Sequence, residues 1–307
     1  MKNTATANLS GPLLVLTFCL SQAFRDVYFA GVFQGVDFFS IILLAFLLST
    51  VIFGVLTAIR APAEFTKLRH HVSTVLGMNV TTAVAWTCYF FALTHLEPSI
   101  VNTVHSGMGP LTIVGLAALG IQRANREAVG PLEYGCYAGI ALSLAGLWWV
   151  VLSGNSGLGV ESLARSLVGL ALLVVSGSSI TVSLLYSKRL HDHGIHAEAV
   201  TAVRYVLIIV LAACDKAIGS RPSGIGGVGD LVTLSLAATV LIVLPSFALQ
   251  AGVARTAPLT THVIRSLGPV CIFALEQLDH RMTYSAPTLL CIVAYSVFVI
   301  GGNAAHG

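Results

Sequence analysis

Apolar residues fill this chain in ten blocks of roughly twenty. They lie near 11–33, 38–59, 73–95, 98–121, 131–152, 167–187, 197–214, 231–251, 258–278 and 284–303. A bilayer core about 30 Å thick needs roughly 20 apolar residues per helix, so the pattern predicts ten membrane-spanning helices. The joints carry the turn and charge signals: RAPAEFTKLRHH, QRANREAVGP, SGNSGLGVESLARS, KRLHDHG and SRPSGIGGVGD. All are short, which leaves no room for a soluble domain. The first block lacks a charged segment followed by a small-residue cleavage site, and it reads as a span rather than a signal peptide.

Polar residues recur inside some blocks at helical spacing, which marks one face of a helix. The first block has Ser21, Arg25 and Tyr28, and the third has Asn79, Thr82, Trp86 and Tyr89. The fourth has Asn102, His105, Gly109 and Thr112, and the sixth has Ser176, Ser179, Ser183 and Tyr186. The ninth carries Arg265 and Gly268, with His262, Ser266 and Pro269 one step around. The second and tenth blocks show only scattered hydroxyls. A water-filled cavity is one reading of these stripes; close interhelical packing through small and hydroxylated residues is the other.

Residues 92–110 (ALTHLEPSIVNTVHSGMGP) align without gaps on residues 251–269 (AGVARTAPLTTHVIRSLGP) at an offset of 159. Gly109-Pro110 falls on Gly268-Pro269, and each pair is a candidate hinge. The chain thus divides into two five-helix halves, 1–152 and 153–307. An odd number of spans per half forces the halves into opposite orientations, the inverted repeat of secondary transporters. With ten short spans, this division and the "ALxxxxPS…GP" passage at the junctions, the chain resembles the drug/metabolite transporter superfamily, in particular its EamA-type permeases. The resemblance implies an all-α bundle around a central cavity lined mainly by the first, third, fourth, sixth, eighth and ninth helices, with alternating access across the membrane.

Composition agrees with the lipid setting, since 56% of residues are hydrophobic and only 9% charged, against about 25% in soluble domains. The net charge of +3 is spread without a basic block, so nucleic acid is not an expected partner; the expected partners are a small-molecule substrate and membrane lipid. Six scattered cysteines show no CxxC or CxxH spacing, and neither a metal nor a cofactor is expected. If the N-terminus is cytoplasmic, nine basic residues (Lys2, Arg60, Lys67, Arg69, Arg123, Arg126, Lys188, Arg189, Arg255) face inward and four (Arg165, Lys216, Arg221, Arg281) outward. That bias predicts a cell (inner) membrane protein with both termini cytoplasmic. Gly135 and Gly139, with Ser143 one turn on, read as helix packing or a dimer face, so monomer and homodimer both stay open.

The remaining three basic residues, Arg25, Arg204 and Arg265, lie within spans. An arginine near the bilayer centre costs on the order of 3 kcal/mol and normally faces protein or water. Arg25 and Arg265 are candidate substrate ligands, together with Tyr28, Trp86, Tyr89, Asn102, His105 and His262. Asp26, Arg204 and Glu276 are candidates for coupling or ion pairing, with Asp26 or Glu276 as a possible structural partner of either arginine. This set favours an anionic or zwitterionic metabolite over a cation: an amino acid, a carboxylate or an amino-carboxylate metallophore. Within the resemblance, THVIR (261–265) faintly echoes the sugar-phosphate and nucleotide-sugar antiporters, but no Lys-Arg pair is present and the fourth span has no lysine. An enzyme is not expected. The GNSG turn around Ser156 fits an intramembrane serine hydrolase motif, but no histidine is expected at its depth, and no charged ring suggests a channel.

Overall fold

The computed structural model describes residues 4–33, 35–120, 130–158, 162–219, 224–253, 256 and 258–304, and their side chains except at 4–10, 228, 246, 247, 250, 251, 253, 258, 259, 261, 262 and 303. Lys2, Arg123, Arg126, Arg221 and Arg255 of the charge bias lie outside the described residues, as does the side chain of His262.

Among the described residues the chain is all helix, without a strand. In order the helices are α1 (Thr4–Val32), α2 (Phe38–Arg60), α3 (Ala63–His70), α4 (Val72–Leu93), α5 (Pro98–Ala118), α6 (Pro131–Leu152), α7 (Leu163–Asp192), α8 (Ala197–Arg204) and α9 (Val206–Ile218). They continue as α10 (Val228–Ala238), a π-helical turn (Thr239–Val243), α11 (Leu244–Val253), α12 (Pro258–Ser266), α13 (Gly268–Glu276) and α14 (Ala286–Ala304). Six stretches are long and apolar enough to cross a membrane: Gly11–Val32, Phe38–Arg60, Val72–Leu93, Pro131–Leu152, Leu163–Asp192 and Ala197–Ile218. Ile59, Leu142, Trp149 and Leu290 stand 70 to 76% exposed, while Asp26, Ser99, Asn102 and Thr288 are at most 2% exposed. Apolar outside and polar inside is the arrangement of a protein solvated by lipid.

Close helix contacts hold the bundle. A Cβ on Gly177 of α7 would stand 2.4 Å from the His105 carbonyl oxygen, so only glycine lets α7 reach the backbone of α5. A Cβ on Gly139 of α6 would meet the Phe298 ring of α14 at 2.4 Å. Gly139 is thus filled from within the chain, whereas Gly135 has open space.

The interruptions lie in the second half. The seventh apolar block is two helices, because the Asn79 side chain of α4 enters its hydrogen-bond ladder. Asn79 Nδ2 donates to the Val203 carbonyl at 2.8 Å, and Asn79 Oδ1 accepts the Leu207 N–H at 3.1 Å. Those two backbone groups would bond each other in a continuous helix. The π turn precedes Pro245, which has no N–H for the preceding turn. The ninth block breaks at Leu267, next to Gly268-Pro269, where α14 replaces a backbone donor: Ser296 Oγ bonds the Ser266 carbonyl at 2.8 Å. The matching Gly109-Pro110 leaves α5 unbroken.

Candidate functional site

A cavity of about 360 Å³ lies among α1, α2, α4, α5, α7, α8, α11 and α12, within the size range of small-molecule sites. On α1 the lining is Phe18, Gln22 and Arg25, one helical stripe. Trp86 and Tyr89 come from α4, His105 and Ser106 from α5, and Ile180 and Leu184 from α7. At the start of α8 lie Ala197, Glu198 and Thr201, followed by Arg204 and Tyr205 at the helix break. Phe53, Leu249 and Arg265 complete it. Ala197 and Glu198 stand at the end of the bundle where Lys67 of α3 bonds the Gly194 carbonyl at 3.2 Å; both are part-exposed, which puts the mouth of the cavity at this, the open end.

The deepest charge is a pair. Asp26 is fully buried, and its Oδ1 accepts Arg25 Nε at 2.8 Å and Arg25 Nη2 at 2.7 Å. Its Oδ2 accepts the Tyr89 hydroxyl at 2.7 Å and Asn102 Nδ2 at 3.2 Å. The Arg25 guanidinium lies 5.3 Å from the Trp86 ring centroid and 5.7 Å from that of Tyr89, both cation–π distances. Four donors therefore satisfy the Asp26 carboxylate, and two aromatic faces flank the guanidinium, the condition under which such a buried pair persists. Adjacent residues point about 100° apart on a helix, yet the long Arg25 side chain turns back onto its neighbour. Asn102 stands behind the cavity wall and holds Asp26.

Among the described residues Arg204 is bonded only to hydroxyls: Nε to Thr82 Oγ1 at 3.3 Å and Nη2 to Ser183 Oγ at 3.2 Å. Arg265 has no hydrogen-bond or ion-pair partner among the described residues and is exposed to the cavity. Its proposed structural partner Glu276 bonds Ser99 at the opposite end of the bundle. The Trp86 indole nitrogen, on the same cavity, is buried without an acceptor.

Hydrogen counting assigns His105. Ser176 Oγ donates its one hydrogen to the Ala85 carbonyl at 2.7 Å, so at the 2.9 Å contact His105 Nδ1 is the donor. Nε2 of the neutral ring is left as an acceptor.

Of the residues singled out in the sequence, the structure gathers Arg25, Trp86, Tyr89, His105, Arg204 and Arg265 on one cavity. Tyr28 is 38% exposed and packs edge-on against Phe29 instead. Asn79 and Asn102 are structural bridges. Gln22, Glu198, Thr201 and Tyr205 are lining residues that the polar stripes did not include. Ser156 donates to the Leu158 carbonyl at 2.8 Å in a part-buried turn.

No protein-family profile matches the chain, and no curated protein matches it. Thirteen chains of solved structures do match. One, a protein crystal structure, superposes with a TM-score of 0.61 at 19% identity, over 98% of this chain and 96% of the other. At that identity the likeness is one of fold.

Proposed function

We propose that the chain is a secondary transporter, an exporter of the EamA type, that moves a small anionic or zwitterionic metabolite across the inner membrane by alternating access. In this reading the ten apolar blocks span the membrane as two inverted five-helix halves, 1–152 and 153–307, with both termini cytoplasmic. The observation that carries the proposal is a basic cavity of about 360 Å³ inside an apolar bundle, open at one end, with an arginine that meets no acid among the described residues. The charge of Arg25 is already met by Asp26, whereas Arg265 has its full capacity to offer an anion. The unpartnered Trp86 nitrogen and the Arg204 guanidinium would add donors, and Glu198 at the mouth would suit an ammonium group. Arg204 and Arg265 together also favour a phosphate ester as a second candidate substrate.

Counterflow of labelled amino acids, dicarboxylates and phosphate esters in proteoliposomes tests the proposal. With a substrate in hand, Arg265→Gln should weaken binding about 10- to 100-fold, from the roughly 1.5 to 3 kcal/mol of a charge-assisted hydrogen bond. Arg265→Lys should recover only part, because the planar fork is lost. Thermal stability should stay at the wild-type value in both. Exchange unaffected by Arg265→Gln, or absent for all three classes, defeats the reading.

A further inference from the structure

The end of the bundle opposite the cavity mouth is closed by Glu97 and Glu276, and neither meets a cation among the described residues. Glu97 is in the turn before α5 and Glu276 ends α13; they are 3% and 1% exposed. Each grips the other half of the chain. Glu276 Oε1 accepts the Ser99 hydroxyl at 2.7 Å and its Oε2 accepts the Ser99 N–H at 3.1 Å. Glu97 Oε1 accepts the Leu158 N–H at 3.0 Å, and its Oε2 lies 3.4 Å from Thr288 Oγ1. The charges acting on Glu276 are Glu97 and Asp279, both negative. Asp279 is itself taken by Arg281 and flanked by His280, while Arg281 Nη1 is spent on the Ala30 carbonyl. No salt bridge reaches either glutamate among the described residues.

The hydroxyl chain beside Glu97 is one hydrogen short. From Glu97 Oε2 it runs to Thr288 Oγ1 (3.4 Å), Ser285 Oγ (2.9 Å) and the Asn155 carbonyl (2.7 Å). Three oxygen–oxygen contacts share two hydroxyl hydrogens. The two shorter contacts use both, and a proton on Glu97 would supply the third.

We propose that Glu97 and Glu276 are a proton-operated latch: this end of the bundle stays shut while the pair carries a proton taken from solvent, and loosens when both are ionised. Two like charges buried without a counter-ion repel and are poorly solvated, and protonation removes one of them. Burial pushes Glu97, in its turn outside the spans, up to about 7. A carboxylate whose value is raised in the closed state favours closure at low pH, and that contribution is lost as pH rises from its ordinary value through the raised one. The role of the latch as a transport gate rests on the transporter reading; its response to pH does not.

The test uses the full chain in nanodiscs, with the native cysteines replaced and a single cysteine at Ile100, which is fully buried beside the latch. Its rate of reaction with a water-soluble maleimide is divided by that of a cysteine at Leu278, 76% exposed, to cancel the ionisation of the thiol. The ratio should rise at least tenfold between about pH 5 and pH 7.5 and then level off, following one proton per opening. Glu97→Gln reproduces the protonated form, since its amide oxygen can accept from Leu158 and its amide nitrogen donate to Thr288. The ratio in Glu97→Gln should stay low and flat. If Glu97→Gln does not fold, Glu276→Gln, which also removes one of the two charges, takes its place. A flat wild-type ratio, or a Gln variant that keeps the wild-type slope, overturns the latch. No substrate is involved, so failure here leaves the transport reading standing, and failure of the counterflow assay leaves the latch standing.

Discussion

At the open end of the bundle, Glu64 of α3 accepts Lys67 Nζ at 2.6 Å and the His196 N–H at 2.8 Å. Lys67, reinforced by the His196 N–H, holds its carboxyl below the usual range despite its burial. At the sealed end, Glu97 is as little exposed but lies far deeper in the protein, receives backbone and hydroxyl donors, and meets no cation among the described residues. Its value moves the other way, up to about 7. Both glutamates tie one half of the chain to the other, so both serve as fastenings, but with opposite responses to acid. The open end carries its closing charge permanently, paired with a half-exposed lysine near the surface. The sealed end holds two like charges out of water, and its strength depends on a proton.

The same contrast separates two arginines on one cavity. Arg25 is locked to a fully buried partner, and Arg265 faces the cavity with no partner among the described residues. Arg25→Gln leaves Asp26 buried with only the Tyr89 and Asn102 donors, which should cost about 3 to 5 kcal/mol of stability. The expected result is failure to fold or a large fall in thermal midpoint in detergent. Adding Asp26→Asn should restore most of the loss, because the buried charge disappears with its partner. Arg265→Gln, by contrast, should change stability by no more than about 0.5 kcal/mol, as for sites without a specific structural partner. Equal stability losses for the two arginines would erase the distinction between a structural and a ligand-facing charge.

The sequence reveals this arrangement in part, and the limits follow from its physics. The apolar blocks show the helices because lipid imposes composition on every exposed position. The polar stripes show Arg25, Trp86, Tyr89, His105 and Arg265 because a wet wall must keep one face of each helix polar. Residues brought in by a break are not visible in this way. The seventh block reads as one uninterrupted span, and the residue that divides it, Asn79, comes from a different helix; hence Glu198, Thr201 and Tyr205 escape notice. The two Gly-Pro pairs look alike, yet only the second interrupts its helix. Glu276 lies on the same block as Arg265 and invites pairing with it, but the two occupy opposite ends. Glu97 reads as an ordinary residue at a joint, and only the fold places it beside a second carboxylate.

The sealed end also depends on a residue without a side chain. A Cβ on Gly157 would stand 2.1 Å from the Thr283 carbonyl oxygen and 2.6 Å from Glu97 Oε1. The Gly157 carbonyl accepts both the N–H (2.9 Å) and the hydroxyl (3.0 Å) of Thr283. Gly157→Ala must therefore push this turn off the latch, at about 1 to 3 kcal/mol for overpacking. Labelling of a cysteine at Ile100 should then be high at pH 5, where the otherwise unaltered protein is shut, and nearly independent of pH. Retention of the low value at pH 5 would mean that the turn does not help to close this end.

The smallest effect should come from Glu64→Gln, and its sign distinguishes the two ends. A carboxylate lowered in the folded state contributes stability above its ordinary value of 4.5, and the contribution is lost as pH falls through the lowered value. Lys67 is about half exposed, with 48% of its side chain open to water, so the pair is screened and its contribution modest. The expected loss at pH 7 is about 1 to 2 °C in thermal midpoint, shrinking as pH falls below 4.5. Glu97→Gln should do the reverse: it should match the unaltered protein near pH 5 and exceed it above pH 7, where ionisation would otherwise weaken the sealed end. Thermal midpoints of both variants from pH 4 to pH 8.5 would show two difference curves that diverge in opposite directions from acid to alkali. If the two curves run parallel, the ends do not differ in how they hold charge, and the latch loses its physical basis.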